Sequence, residues 1–168
     1  MRKELLDLGK RIESELRSIE RAAQRVLSAW EGTCRFPEQR SYYLDSVALN
    51  LHSFYNGLER VFAAIARRLD PVFPSGERWH RDLLKQMGGE IPEKRPAVLS
   101  TRTLDLLDDF LAFRHLIRGL YAFELDAERL KYLLDRLPEA LSSVKQDLED
   151  FCRLLAIAAN QDGTKKDI

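Results

Sequence analysis

Apolar residues recur at three- and four-residue spacings along most of this chain, with charges of both signs between them. Leu5, Leu8, Ile12, Leu16, Ile19, Ala23, Val26 and Trp30 predict a first helix over Lys3 to Trp30. The run from Glu31 to Pro37, with Gly32 and Pro37, is expected to stop it. Leu44, Val47, Leu51, Tyr55, Leu58, Phe62, Ile65 and Leu69 predict a second helix over Glu38 to Leu69. Beside that stripe runs a row of His52, Asn56, Glu59 and Ala63, polar in its first three members. Asp70 to Gly76 is turn-rich, and Glu77 to Met87 reads as a short helix with Trp79, Leu83, Leu84 and Met87 facing inward. Gly88-Gly89 ends it, and Ile91 to Pro96 is a loop.

Ser100 is placed to cap a third long helix, expected to run to Glu124. Asp126 is placed to cap the last one, with Glu128 favourable in its first turn. That helix carries Leu130, Leu134, Leu137, Leu141, Val144, Leu148, Phe151, Leu155 and Ala158, a heptad seam with Pro138 as an expected kink. No alternating strand pattern competes. The fold class is therefore all-α, an antiparallel bundle of four long helices and one short helix. One domain is expected over 1–160, followed by a flexible polar tail, 161–168.

The third long helix is the unusual one. On a helical wheel Leu107, Phe110, Leu111, Ile117 and Tyr121 lie within about 60° of Arg114, and Arg118 falls in the same arc. Two guanidinium groups thus interrupt a stripe that otherwise reads as core. Burying a guanidinium is costly unless it is paired and hydrogen-bonded. Either these arginines find carboxylates or carbonyls across the bundle, with Glu59 a reasonable partner, or they face an anionic ligand. Two plainer readings stand beside these. Long arginine stems can snorkel from the edge of the stripe, and Glu59 can pair on its own helix surface near Arg67.

Composition narrows the function. The chain has 168 residues, 27 basic and 27 acidic, so its formal net charge is zero, and its pI is near 6.8. That balance argues against a broad electrostatic grip on nucleic acid and leaves room for a small phosphate site. No stretch approaches a membrane span, and the acidic start of the chain does not read as a signal peptide. Cys34 and Cys152 are expected to be free thiols in a cytoplasm. The chain has no Gly-rich phosphate loop, H-E-x-x-H, C-x-x-C or G-x-S-x-G pattern. The histidines, His52, His80 and His115, are too scattered to predict a metal site, and no cofactor is expected. His80, beside Trp79, reads as a surface or satisfied core residue. Metal-free chemistry with Arg, His and Tyr is the catalytic reading that keeps sequence support.

The run Phe113-Arg114-His115-Leu116-Ile117-Arg118-Gly119-Leu120-Tyr121, continuing to Leu125, resembles the signature helix of HepT-like proteins, a branch of the HEPN superfamily. Leu51 to Arg60, Pro74 to His80, and Ile91-Pro92 through Ser100 agree, so the resemblance covers about Tyr43 to Pro138. It implies a HEPN-like helical bundle that forms a homodimer, with two signature helices building one metal-independent RNA-cleaving site. It also implies the toxin half of a toxin–antitoxin pair whose antitoxin is an MNT-type nucleotidyltransferase, with neither membrane nor DNA as a partner. In related pairs that enzyme can modify the motif tyrosine with AMP, and Tyr121 matches that position.

One departure bears on activity. The family motif is Arg, four residues, His, one residue, Tyr. Arg114 and Tyr121 match it, whereas Gly119 stands at the histidine position. Arg114 and Arg118 can offset charge on a phosphorane-like transition state. The proton-moving role then falls to His115, about 100° from Arg114 around the helix, or to His52 with Asn56 and Glu59 in support. Three readings follow. The chain is an endoribonuclease toxin, or a non-catalytic HEPN subunit that binds its nucleotidyltransferase partner or a nucleotide or RNA, or a plain helical interaction protein whose arginines pair with Glu59 or Glu124.

Overall fold

A computed structural model of the chain describes residues 1–121 and 124–164. Five α-helices follow one another: α1 Arg2–Arg35, α2 Arg40–Leu69, α3 Trp79–Met87, α4 Thr101–Ile117 and α5 Ala127–Thr164. A 3-10 turn, Pro37–Gln39, joins α1 to α2. Cross-helix pairs set the directions. Arg60 meets Glu15 and Arg25 meets Asn50, so α2 runs antiparallel to α1. Lys145 meets Glu20 and Cys152 meets Gly9, so α5 opposes α1; Arg102 meets Glu139 and Arg136 meets Asp109, so α4 opposes α5 and hence also α2. The long helices therefore form an up-down-up-down bundle, as the hydrophobic periodicity predicts.

The stripes end where expected. Leu8, Ile12, Leu16, Ile19, Ala23 and Val26 of α1 and Leu130, Leu134, Leu137, Val144, Leu148, Phe151 and Leu155 of α5 are buried in one core. On α5 the last buried position is Ala159, and Ala158 faces outward. α2 is buried along most of its length from Val47, and on every side from Val61 to Ala66. It is the central helix, and α1, α3, α4 and α5 all pack against it. Each leucine or phenylalanine fully buried there contributes about 1.5–3 kcal/mol. Gly57 lets α1 approach: a Cβ at that position would stand 2.6 Å from Cγ1 of Ile19.

Three boundaries depart from expectation. Gly32 does not stop α1, which runs on to Arg35. The ring of Tyr43 lies over Gly32, where a Cβ would fall 2.3 Å from it, so the glycine is a contact rather than a terminator. The break comes at Phe36, held at φ −129° and ψ 76° by the proline that follows. α4 stops at Ile117 rather than Glu124, so Arg118 is its C-cap and Tyr121 lies beyond it. Gly119, the poorest helix former there, donates its N–H back to Leu116 at 3.1 Å, and Leu120 bonds Ile117 in the same tight i to i+3 way. The Glu124 carboxylate then accepts the Tyr121 N–H at 2.8 Å. α5 continues through Pro138 and extends to Thr164, past the start of the expected tail, of which 165–168 lie outside the described residues.

Two polar networks fasten the connections. The Ser100 hydroxyl caps α4 by accepting the Thr103 N–H, and Asp147 of α5 accepts from the Ser100 N–H and from Thr103 Oγ1. The second is deeper. Arg95, in the α3–α4 loop, donates Nε to Asp70 Oδ1 at 2.6 Å and Nη2 to Oδ2 at 2.7 Å. Nη1 donates to the carbonyls of Gly89 and Pro96. Gln86 of α3 donates to both Asp70 and Val72. Both charged side chains are essentially inaccessible to solvent. Removing one partner of such a pair strands the other. Arg95→Ala is expected to cost about 3–5 kcal/mol. At this chain length that lowers the melting temperature by roughly 10 °C, which thermal denaturation followed by circular dichroism would measure.

Candidate functional site

Antiparallel packing of α4 on α2 brings the last turn of α4 beside the polar row of α2. Arg114 is buried, 8% exposed, among Phe110, Leu111 and Phe113. Its Nε donates to Asn56 Oδ1 at 3.0 Å, and its Nη2 to Glu59 Oε1 at 3.2 Å. The second oxygen of Glu59 bonds Nδ1 of His80 on α3 at 2.6 Å. One carboxylate on α2 therefore answers a cation on α4 and an imidazole on α3. The cross-bundle partner expected for Arg114 is present, and the surface pairing of Glu59 with Arg67 is not, Arg67 instead lying over the Phe73 ring. His80 is a satisfied buried histidine, with its ring against Trp79.

The remaining groups sit on two flanks of this centre. His115 is exposed and meets the His80 ring edge-on at 5.5 Å. Partial burial, with the neighbouring His80, Arg114 and Arg81, holds the His115 pKa below its ordinary value. On the other flank His52, Arg118 and Tyr121 line a cavity of about 270 Å³ together with Asp45. Its apolar wall comes from Ala48, Leu49, Ile117, Leu120 and Leu125. Burial first, then Arg114 and Arg118, hold the His52 pKa below 6.5, against a smaller opposing pull from Glu59.

Two buried polar atoms here are unsatisfied, and one exposed cation lacks a carboxylate partner among the described residues. His52 Nδ1 and Arg114 Nη1 are buried without a hydrogen-bond partner. Arg118 is exposed and pairs with no carboxylate among the described residues. Neutral histidine offers one lone pair, and an arginine Nη carries two N–H donors, so the set combines a proton acceptor with cationic donors. No group of histidine, cysteine or carboxylate side chains among the described residues could hold a metal ion.

The model of the family described as HepT-like protein matches residues 46–155. The chain belongs to the HepT-like family. No curated protein and no solved structure matches it. The matched segment of this HepT-like chain holds most of α2, all of α3 and α4, and most of α5, and therefore the whole Arg114 centre. Gly119, which the resemblance aligns with the motif histidine, lies in the exposed turn after α4, where among the described residues a Cβ would meet nothing nearer than the Leu116 carbonyl at 3.9 Å. Nothing within this chain demands a glycine there. Tyr121 is 71% exposed, outside the apolar stripe predicted for it, because the helix ends before the stripe reaches it.

Two participants escaped the sequence reading. His80 gave no signal of its own, because its carboxylate lies on another helix. Asp45 extends the row of His52, Asn56 and Glu59 backward by seven residues, so a longer count along that face would have reached it.

Two measurements check this geometry. Glu59→Gln removes the charge that answers Arg114 and is expected to cost about 3 kcal/mol, read from the urea midpoint. The His52 imidazole should titrate below 6.5 in an NMR pH series. A folded pKa below the unfolded one favours the folded state above pH 6.5, and that contribution is lost as pH falls through the folded value. The titration should vanish in His52→Gln.

Proposed function

We propose that this HepT-like protein is the toxin component of a HEPN/MNT toxin–antitoxin pair in the cytoplasm, acting on RNA at a metal-independent site at the end of α4. The observation that carries this reading is the convergence of the unsatisfied His52 Nδ1, the unsatisfied Arg114 Nη1 and the unpaired Arg118 at one end of the bundle. RNA cleavage without a metal needs a base for the 2′-hydroxyl, positive charge at the phosphorane and an acid for the departing 5′ oxygen. His52, kept neutral by burial and its two arginine neighbours, takes the first role. Arg118, exposed, meets the phosphate, and Arg114 reinforces it from behind while Asn56 and Glu59 fix its plane. His115 lies on the other flank beside His80, which favours His52 over it as the base.

The reading includes a homodimer. Tyr42 and Leu49 lie on one side of α2 and are 74% and 63% exposed, and Leu49 joins the exposed Tyr121 at the rim of the cavity. Apolar groups displayed together in this way fit an interface. A two-fold pairing of this face doubles the set and supplies a second imidazole to protonate the departing oxygen. Tyr121, exposed beyond the helix, is the group that the nucleotidyltransferase antitoxin would modify with AMP.

Gly119 favours a second reading, a non-catalytic HEPN subunit that binds RNA or a nucleotide, because the motif histidine is missing. Cleavage of mixed cellular RNA in EDTA separates the two. On the toxin reading the parent cleaves, and His52→Ala and Arg118→Ala each lower the rate by about 10²-fold or more. Arg114→Ala should abolish cleavage at a folding cost of about 1–3 kcal/mol, because Glu59 keeps His80 as a partner. A folded parent that binds RNA without cleaving it, and gains cleavage as Gly119→His, would mark the binding subunit.

A further inference from the structure

The cavity beside His52 carries more information than a phosphate site needs. Its lining carries both signs of charge, Arg118 beside the imidazole of His52 and the carboxylate of Asp45. Along α2, Asp45 and His52 are two turns apart, about 10 Å. The Asp45 carboxylate is half-buried and makes no hydrogen bond or ion pair among the described residues. The other lining residues, Ala48, Leu49, Ile117, Leu120 and Leu125, are apolar, and Tyr121, largely exposed, lines the cavity too. A volume of about 270 Å³ lies just below the roughly 300–1,000 Å³ of pockets for drug-sized ligands. It suits one flat heterocycle with its sugar rather than a longer segment.

An unpaired carboxylate in an apolar wall repels phosphate and seeks donors. Among the four RNA bases, guanine alone presents two adjacent donors, N1–H and the N2 amino group, which a carboxylate accepts side by side. Adenine and cytosine place a ring acceptor beside their amino group, and uracil places its one N–H between two carbonyls. Aromatic side chains at such sites stack on base faces. We infer that this cavity is a nucleobase subsite that selects guanine, with Asp45 reading the base edge, Tyr121 covering the base face and Arg118 taking the attached phosphate. This inference rests on the RNA-directed function proposed above and adds base specificity to it. RNA is then engaged at guanosine, with the phosphate held toward the Arg114 centre and the base held toward the start of α2.

The test is equilibrium binding of GMP, AMP, CMP and UMP to the full chain by calorimetry, with inorganic phosphate as the reference. GMP is expected to bind about tenfold or more tightly than AMP, from two hydrogen bonds to a charged acceptor. Asp45→Asn replaces one acceptor by a donor, which suits adenine N6 and N1. It should bring AMP level with GMP or ahead of it. If all four nucleotides and phosphate bind within about twofold of one another, the subsite is wrong while the anion site stands. An unchanged preference for GMP in Asp45→Asn overturns the assignment of Asp45. If neither phosphate nor any nucleotide binds the folded protein, the function proposed above fails together with the subsite.

Discussion

A carboxylate at position 59, on the helix that the rest of the bundle surrounds, is only 12% exposed and has to be answered by donors. The chain answers it from two directions. Arg114 reaches it from α4 and His80 from α3, and Asn56, one turn earlier on α2, takes the remaining edge of the guanidinium. Buried charges gain little net stability compared with a well-packed apolar core, but they are unforgiving about where their partners stand. Glu59 thereby fixes the rotation of α4 and the seat of α3 against α2, in a bundle whose leucine-rich faces would tolerate other pairings. The arrangement is also incomplete in one respect. Arg114 has a donor left over, and the nearby His52 has an acceptor left over. Nearly all buried polar groups in folded proteins are satisfied, so two exceptions that face each other across α2 and α4 stand out, and the proposed function rests on them.

Gly119 acquires a different meaning once the end of α4 is in view. On an uninterrupted helix to Glu124 it would be a weak link in a functional stripe. In the folded chain it sits in the turn that ends the helix, exposed and uncrowded. Beyond the helix end Tyr121 is exposed, and Leu120 and Leu125 line the cavity. The arginines that remain, in the last turn and cap of α4, also offset the partial negative charge of the helix C-terminus. That lowers the cost of holding them close together.

Much of this was legible in the sequence because it rests on period. The helices and their order follow from apolar spacing, and the Arg114–Glu59 contact is one of the alternatives that an arginine in an apolar stripe leaves open. Ser100 and Asp126 cap their helices through side-chain oxygens, as their positions imply. What escaped depends on long-range contact or on loops. Gly32 reads as a stop until Tyr43 is seen to occupy the space of its missing side chain. The Asp70–Arg95 pair joins two connections with no period, so nothing in the spacing of either residue announces it. Tyr121 was assigned to a face by extending a helix that the local hydrogen bonds had already closed.

The order in which the helices leave the ribosome gives the bundle's topology a temporal side. α1 and α2 are joined by a three-residue turn and can pair as soon as both are made. The face of α1 that α5 finally covers, where Gly9 meets Cys152 and Glu20 meets Lys145, waits until α5 has been made, about a hundred residues after the hairpin. At about 5–20 residues per second that wait is on the order of ten seconds. During it the hairpin shows an apolar flank to the cell, in a protein whose zero net charge offers no general repulsion against sticking to neighbours. α5 is therefore the helix that ends this hairpin's exposure to aggregation.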